Sequence, residues 1–307
     1  MGLSVLRRAI LAAADSPRIG RFVRRYGFRL GASRFVAGES LGAAVQVLRR
    51  LNESGLLTNT ALLGEGVASA AETDVVVAEY REALDRIAAE GLQTNISLKL
   101  THLGLAFDEE LAYRNLVALV ERAAHHGNFI RIDMEESARV DATLRVYRRL
   151  REAGKANVGL VLQTYLYRSE NDLAALLPLE PNVRLVKGAY LEPPDVAYPE
   201  KSDVDAAYVR MMETALTGAG FTAVATHDDA LIEHAIAFGQ ANGIPPERFR
   251  FQMLYGVRPA LQLDLVRRGY AVLVATPYGP DWYRYLMRRL AKRPANMLFL
   301  LRNLVRG

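Results

Sequence analysis

Eight short strand-like runs alternate with helix-period segments along this chain, and the pattern predicts a (β/α)8 TIM-like barrel. Three observations carry that expectation. The runs recur about every thirty residues, the length of one strand-helix unit. The count stops at eight, which closes a parallel barrel but has no meaning for an open doubly wound sheet. No Pro/Gly/Ser-rich linker or low-complexity stretch interrupts the series.

Residues 1–55 precede the first run and read as an N-terminal helical arm, leaving 56–307 as a single barrel domain. The first four strands are expected in "TALLGE" from Thr60, "NISLKLT" from Asn95, "FIRIDME" from Phe129 and "VGLVLQTYL" from Val158. The last four are expected in "VRLVKGAY" from Val183, "TAVATHD" from Thr222, "FRFQMLY" from Phe249 and "AVLVATPY" from Ala271. Between them, "TDVVVAEYREALDRIAAEG" and "DEELAYRNLVALVERAAHHG" place apolar residues at helical spacing, and Gly127 ends the second helix. "WYRYLMRRLAKRP", residues 282–294, reads as a last helix over the barrel mouth.

Strands covered on both sides normally read as continuous apolar runs. Here "NISLKLT" alternates, with Asn95, Ser97, Lys99 and Thr101 on one face and Ile96, Leu98 and Leu100 on the other. "FIRIDME" does the same with Arg131, Asp133 and Glu135. Charges are costly in a filled core, so the inward face is expected to border a polar ligand cavity at the strands' C-terminal ends.

Half of the 307 residues are apolar and 24% are charged, an ordinary globular composition. Zero cysteines exclude disulfides, thiolate metal sites and a cysteine nucleophile. The net charge of +5 comes without a nucleic-acid motif or an aromatic stacking platform, so no nucleic-acid partner is expected. Arginines inside the apolar stretch of "MGLSVLRRAILAAADSPR" argue against a signal peptide, and no apolar run is long enough to span a bilayer. The expected address is cytoplasmic, with the basic arm either touching acidic lipid peripherally or packed on its own domain.

On the last helix Tyr285 shares a face with Arg288 and Arg289, and paired guanidinium forks suit a carboxylate or phosphate. A solvated basic face is the plainer alternative. Two further motifs carry no site. "GAGFTA", residues 218–223, fits a dinucleotide fingerprint on paper but ends a helix and enters a strand, the reverse of what that fingerprint needs. "HDDALIEH" separates His227 and His234 by seven residues, so no metal site is expected.

"SLKLT", "IDMEES", "VLQTYLYRSENDL", "RLVKGAYLEP", "ATHDD", "FQMLYGVR" and "YLMRRLAKRPAN" together resemble the ordered motifs of the FAD-dependent proline dehydrogenase family, in its monofunctional bacterial form. The likeness runs from about Glu65 to Asn296. It implies oxidation of L-proline to Δ1-pyrroline-5-carboxylate, with hydride passing to FAD and electrons to a membrane quinone. It also implies roles for named residues. Arg288 and Arg289 would bind the substrate carboxylate, Lys99 would add positive charge nearby, and Glu65 would pair with Arg288 as a gate. Tyr190, Leu254 and Tyr285 would wall the proline ring. Asp133 would orient polar groups at the heart of the site, and Arg184 would stand beside the flavin N5. Met134, Gln163, Lys187, Gly188, Ala189, Thr226 and His227 would line the cofactor from ring to pyrophosphate.

Two positions depart from the family pattern. Ala275 stands where a tyrosine covers the far edge of the proline ring, which suggests room for 4-hydroxyproline or a bulkier cyclic imino acid. Lys292 stands where glutamate is usual, replacing an attraction to Arg288 by a repulsion. Readings from other classes are a Schiff-base barrel lyase using Lys99 or Lys187, and a non-enzymatic scaffold that binds an anion or a membrane surface.

Overall fold

The computed structural model describes residues 23, 26–28, 31–64, 67–283 and 285–287. Eight parallel strands close into a barrel in sequence order. They are β1 Leu57–Leu62, β2 Thr94–Leu98, β3 Ile130–Ile132, β4 Val158–Gln163, β5 Asn182–Val186, β6 Phe221–Ala225, β7 Phe249–Leu254 and β8 Val272–Tyr278. β1 seals the ring by pairing with β8, from Leu57 opposite Leu273 to Leu62 opposite Tyr278. Every predicted run overlaps a strand, but most strands are shorter than their runs: β2 stops at Leu98, β4 at Gln163 and β5 at Val186. β1 begins three residues earlier than Thr60, because Leu57 to Asn59 already pair with β8. β3 keeps three residues before the chain bends into a 3-10 turn at Ser137–Arg139.

Around the ring lie α1 Leu41–Glu53, α2 Ala70–Ala89, α3 Glu109–His125, α4 Val140–Glu152, α5 Ser169–Leu176, α6 Lys201–Thr217, α7 Asp229–Ala241 and α8 Pro259–Arg267. The side chains of Ser40, Ser69, Asp108 and Asp228 each accept a backbone N–H of the first turn they precede, starting α1, α2, α3 and α7. Gly127, at φ 62, follows α3 in the left-handed region, as the sequence leads one to expect. α1 falls within residues 1–55 yet packs on β1 and β8, burying Ala44, Val45 and Leu48. "GAGFTA" runs from the end of α6 into β6, a turn between helix and strand.

The outward strand faces make the main core. Ile96, Ile130, Ile132, Leu160, Leu185 and Val224 are fully buried there, each stabilising the fold by about 1.5–3 kcal/mol. The inward faces are polar, and hydrogen bonds run both across the ring and between neighbouring strands. Arg184 of β5 donates to Ser97 of β2 at 3.3 Å. Ser97 Oγ donates to Asn59 Oδ1 of β1 at 2.9 Å, and Asn59 donates to Asn95 Oδ1 at 2.5 Å.

The base of the barrel differs from the expected open cavity. Arg131 is only 4% exposed, enclosed rather than lining a site. Its guanidinium donates to Leu160 O at 3.0 Å and Asn182 O at 2.6 Å, bonds Asn182 Oδ1, and lies 4.8 Å from the Phe129 ring centre. Burial and the nearby cations Arg184 and Arg250 push its pKa well down, and the oxygen acceptors compensate. Gly159 is the residue that allows it: a Cβ there would stand 2.5 Å from Arg131 Nη1 and 2.4 Å from Asn182 O.

At the opposite end, after β8, Trp282 is fully buried; its Nε1 donates to Glu39 Oε1 at 2.6 Å and its ring meets Phe28 edge-on. Residues 282, 283 and 285–287 are helical, the start of the predicted last helix. Glu65, Arg288, Arg289 and Lys292 lie outside the described residues.

Candidate functional site

Parallel register carries the inward side chains of several strands to one end of the ring, where the loops after β2 to β7 converge. At its centre Arg184 Nη2 donates to Asp133 Oδ1 at 2.5 Å. Asp133 follows β3 directly, and its own N–H bonds Leu98 O of β2 at 2.8 Å, so its position is fixed by the backbone of the neighbouring strand. Arg184 Nε is buried with no hydrogen-bond partner among the described residues. A buried donor without an acceptor is rare, and here it sits among the residues expected to face a ligand.

Gln163 closes β4 and is 2% exposed. Its Nε2 donates to Glu135 O at 2.8 Å, and its Oε1 accepts from Ala189 N at 3.3 Å. The amide thus ties the chain beside buried Met134 to the loop after β5. Gly188 has φ 136, and a Cβ there would enter the Tyr165 ring at 2.3 Å. Glycine is required at that position by conformation and by an aromatic neighbour.

His227 and Leu254 also come together. Leu254 N donates to His227 Nε2 at 3.0 Å, and Arg258 donates to the His227 carbonyl at 2.8 Å. Because Nε2 accepts, the neutral ring carries its proton on Nδ1. Thr226 Oγ1 accepts from Asp228 N at 3.1 Å, shaping the entry to α7. Half-buried Tyr190, Leu254 and Lys99 stand at the ends of three different strands, and Tyr285 packs on the Trp282 cluster.

Lys187 is placed differently from a residue waiting for phosphate. Its ammonium bonds Asp228 at 3.1 Å and also pairs with Asp205. Two carboxylates are the opposite of the desolvation or neighbouring cation that activates a Schiff-base amine. His234 turns away to Glu213 at 2.7 Å, so the "HDDALIEH" histidines serve separate partners. No group of three metal-ligating side chains occurs among the described residues.

Several functional neighbours were not singled out from sequence. Ser97 supports Arg184. Glu135 is 5% exposed and accepts from Thr101 N at 3.2 Å and Thr101 Oγ1 at 2.7 Å, while burial raises its pKa. His102 donates from Nε2 to Gly64 O at 2.8 Å, and its buried Nδ1 has no partner among the described residues. Both polar alternation and the quoted motifs contained Ser97 and Glu135, but neither signal says which member of a polar face touches which.

The donor set suits a flavin nucleotide. The orphaned Arg184 Nε offers a hydrogen bond, Arg184 and Lys187 offer positive charge, and a buried amide braces the wall between them. Lys187 would have to exchange or share a carboxylate to meet a phosphate.

The proline dehydrogenase family model matches residues 44–301. Proline dehydrogenase 1 of Bacillus subtilis is 41% identical over 302 residues, covering 98% of this chain and all of that protein. Proline dehydrogenase of Deinococcus radiodurans is 42% identical over 305 residues, covering 98% of each chain. Among solved structures, proline utilization A from Bdellovibrio bacteriovorus, inactivated by N-propargylglycine, superposes with a TM-score of 0.80 at 25% identity. That match covers 85% of this chain and 32% of the longer one. With the barrel, the polar mouth and matches along nearly its whole length, the chain belongs to the proline dehydrogenase family.

Proposed function

We propose that this chain oxidises L-proline to Δ1-pyrroline-5-carboxylate, using FAD and passing electrons to a membrane quinone. The observation that carries the reading is the Arg184–Asp133 pair at the mouth of the barrel, with Arg184 Nε lacking an acceptor among the described residues, in a chain matched by the family over residues 44–301. When bound, FAD supplies the hydride acceptor for the ring carbon beside nitrogen.

The protein's own residues supply position and charge. Arg184 holds a fixed cation where negative charge develops, and Asp133 with Ser97 keeps its guanidinium from swinging. Tyr190, Leu254 and Tyr285 offer apolar surface to the imino acid ring, and Lys99, Arg288 and Arg289 attract its carboxylate. Glu65 acts as the gate partner of Arg288. Met134, Gln163, Gly188, Ala189, Thr226 and His227 form the cofactor's wall, with Lys187 toward its phosphates. Among the described residues no helix is long and apolar enough to cross a membrane.

Purification with FAD and anaerobic addition of L-proline tests the reading. A yellow protein that bleaches on proline, and recovers its colour with a short-chain quinone, is the expected result. A protein that binds no flavin, or one whose flavin proline leaves oxidised, overturns it.

A further inference from the structure

The loop that follows β5 carries Tyr190 over the barrel mouth, yet residues 187–193 have no regular secondary structure. The far side of this loop is secured by Tyr198 N to Tyr165 O at 2.8 Å, by Tyr167 N to Val196 O at 3.2 Å, and by Tyr167 OH to Pro194 O at 2.9 Å. Its near side is held at Ala189 by Gln163. Between them Leu191 is 75% exposed. Tyr165 OH reaches the Tyr190 carbonyl at 3.5 Å, the long limit of a hydrogen bond, and Glu192 supplies the shorter bonds beside it. Its Oε1 accepts from Ser137 N at 2.7 Å and its Oε2 from Ser137 Oγ at 2.6 Å. A carboxylate with both oxygens engaged is among the stronger neutral-donor arrangements, because the acceptor is charged.

Ser137 lies two residues beyond Glu135, whose carbonyl receives Gln163. Segments 135–137 and 189–192 are thus joined by two rungs, one through the Gln163 amide and one through the Glu192 carboxylate. Tyr190 sits between the rungs. We propose that Glu192, through its two-pronged grip on Ser137, is a positioning residue that fixes the Tyr190 wall of the substrate pocket. This inference rests on the proposed reading of Tyr190 as a surface for the imino acid ring. Glu192 touches neither substrate nor cofactor in this scheme; it sets where Tyr190 stands.

The test is a double-mutant cycle on the FAD-loaded enzyme, using Glu192→Ala, Tyr190→Ala and both together, with Glu192→Gln as the conservative variant. Glu192→Ala should raise the KM for L-proline about tenfold, the scale of one or two lost hydrogen bonds. The kcat should stay within about twofold, since ground-state and transition-state contacts are weakened together. Glu192→Gln keeps one acceptor and should recover most of the KM. In the Tyr190→Ala background the loss of Glu192 should add almost nothing, because the wall it positions is already gone.

Additive losses in the cycle, or an unchanged KM with a lowered Tm, would show that Glu192 merely holds the fold, and the proposal falls. Wild-type enzyme that does not oxidise L-proline overturns the proposed function first and this role with it. An active wild type with an additive cycle overturns this role alone.

Discussion

Arg184 and Asp133 meet at 2.5 Å inside the mouth of the barrel, while the Nε of the same guanidinium is buried without a partner among the described residues. The arrangement holds a cation in place but leaves part of its hydrogen-bonding capacity for something else. Arg184 has an 11% exposed side chain and Asp133 a 27% exposed one, so water screens the pair only in part. Removing the carboxylate strands a largely buried cation. Asp133→Ala is therefore expected to destabilise the apoprotein by about 1–3 kcal/mol in urea unfolding. Adding Arg184→Met should restore part of that loss, since it removes the stranded charge. A double variant that loses the sum of both single changes would refute the coupling.

Arg131 and Gly159 give a second stability prediction. The guanidinium lies over Gly159 with three oxygen acceptors beyond it, leaving no room for a methyl group. Gly159→Ala should cost about 1–3 kcal/mol through overpacking, more if Arg131 is forced off its acceptors. Adding Arg131→Met, which lacks the fork, should make the alanine less costly. Equal penalties in both backgrounds would mean that the clash is with the Asn182 carbonyl and the Phe129 ring instead of Arg131.

His102 sets a pH dependence. Burial lowers its pKa below the ordinary 6.5; the hydrogen bond to the Gly64 carbonyl opposes this, Lys99 adds to it, and Asp133 and Asp281 oppose it. The unfolded chain therefore takes up the proton first as pH falls. The stability linked to His102 is complete above about pH 6.5, and declines as pH drops below that value until the folded ring itself titrates. Protonation would also give the buried Nδ1 a hydrogen with no acceptor among the described residues. His102→Gln should flatten this part of the profile below about pH 6.5, measured as the difference in unfolding free energy from the wild type. Identical slopes in the two proteins would exclude His102 as the source.

The closed barrel was legible because its signal is repeated. Eight strand runs had to agree, so an early start at Leu57 or a short β3 could not disturb the count. The central Arg184–Asp133 pair joins two residues whose site roles came from motifs, and strand alternation put Asp133 on the polar face. What stayed hidden was the pairing of polar groups across the ring. Ser97 and Arg184 are 87 positions apart, and nothing local in either strand says they bond. Arg131 was read as cavity lining because a buried charge looked too costly; three acceptors and a glycine made it affordable. Glu192 was hidden for another reason, since its role depends on where an irregular loop folds back.

Lys187 allows a test of cofactor binding apart from turnover. Its pairing with Asp205 and Asp228 competes with any phosphate that approaches it. Asp205→Asn removes one competitor and one repulsive charge, and should tighten FAD binding by the apoprotein up to about fivefold at low salt. Titration followed by flavin fluorescence reads this directly. The gain should shrink as added salt screens the exposed part of the cluster. Weaker binding in the variant would mean that Asp205 orients Lys187 for the cofactor instead of withholding it.

Ala275 bears on substrate range. It lies in β8, opposite Asn59 of β1 on one side and Leu254 of β7 on the other, and its side chain is half-buried. Its register with Asn59, whose side chain joins the interior network, places it on the barrel's inner face. A methyl group there leaves space that an aromatic ring would fill. The wild type should therefore tolerate a hydroxyl on the imino acid ring, turning over trans-4-hydroxy-L-proline alongside L-proline. Ala275→Tyr should shift the ratio of kcat/KM values toward unsubstituted proline by about tenfold, the discrimination that steric exclusion of one small group yields. The ratio removes effects common to both substrates, including altered flavin content. An unchanged ratio would place the hydroxyl elsewhere in the pocket, and a wild type already strict for proline would show that another side chain closes the space above Ala275.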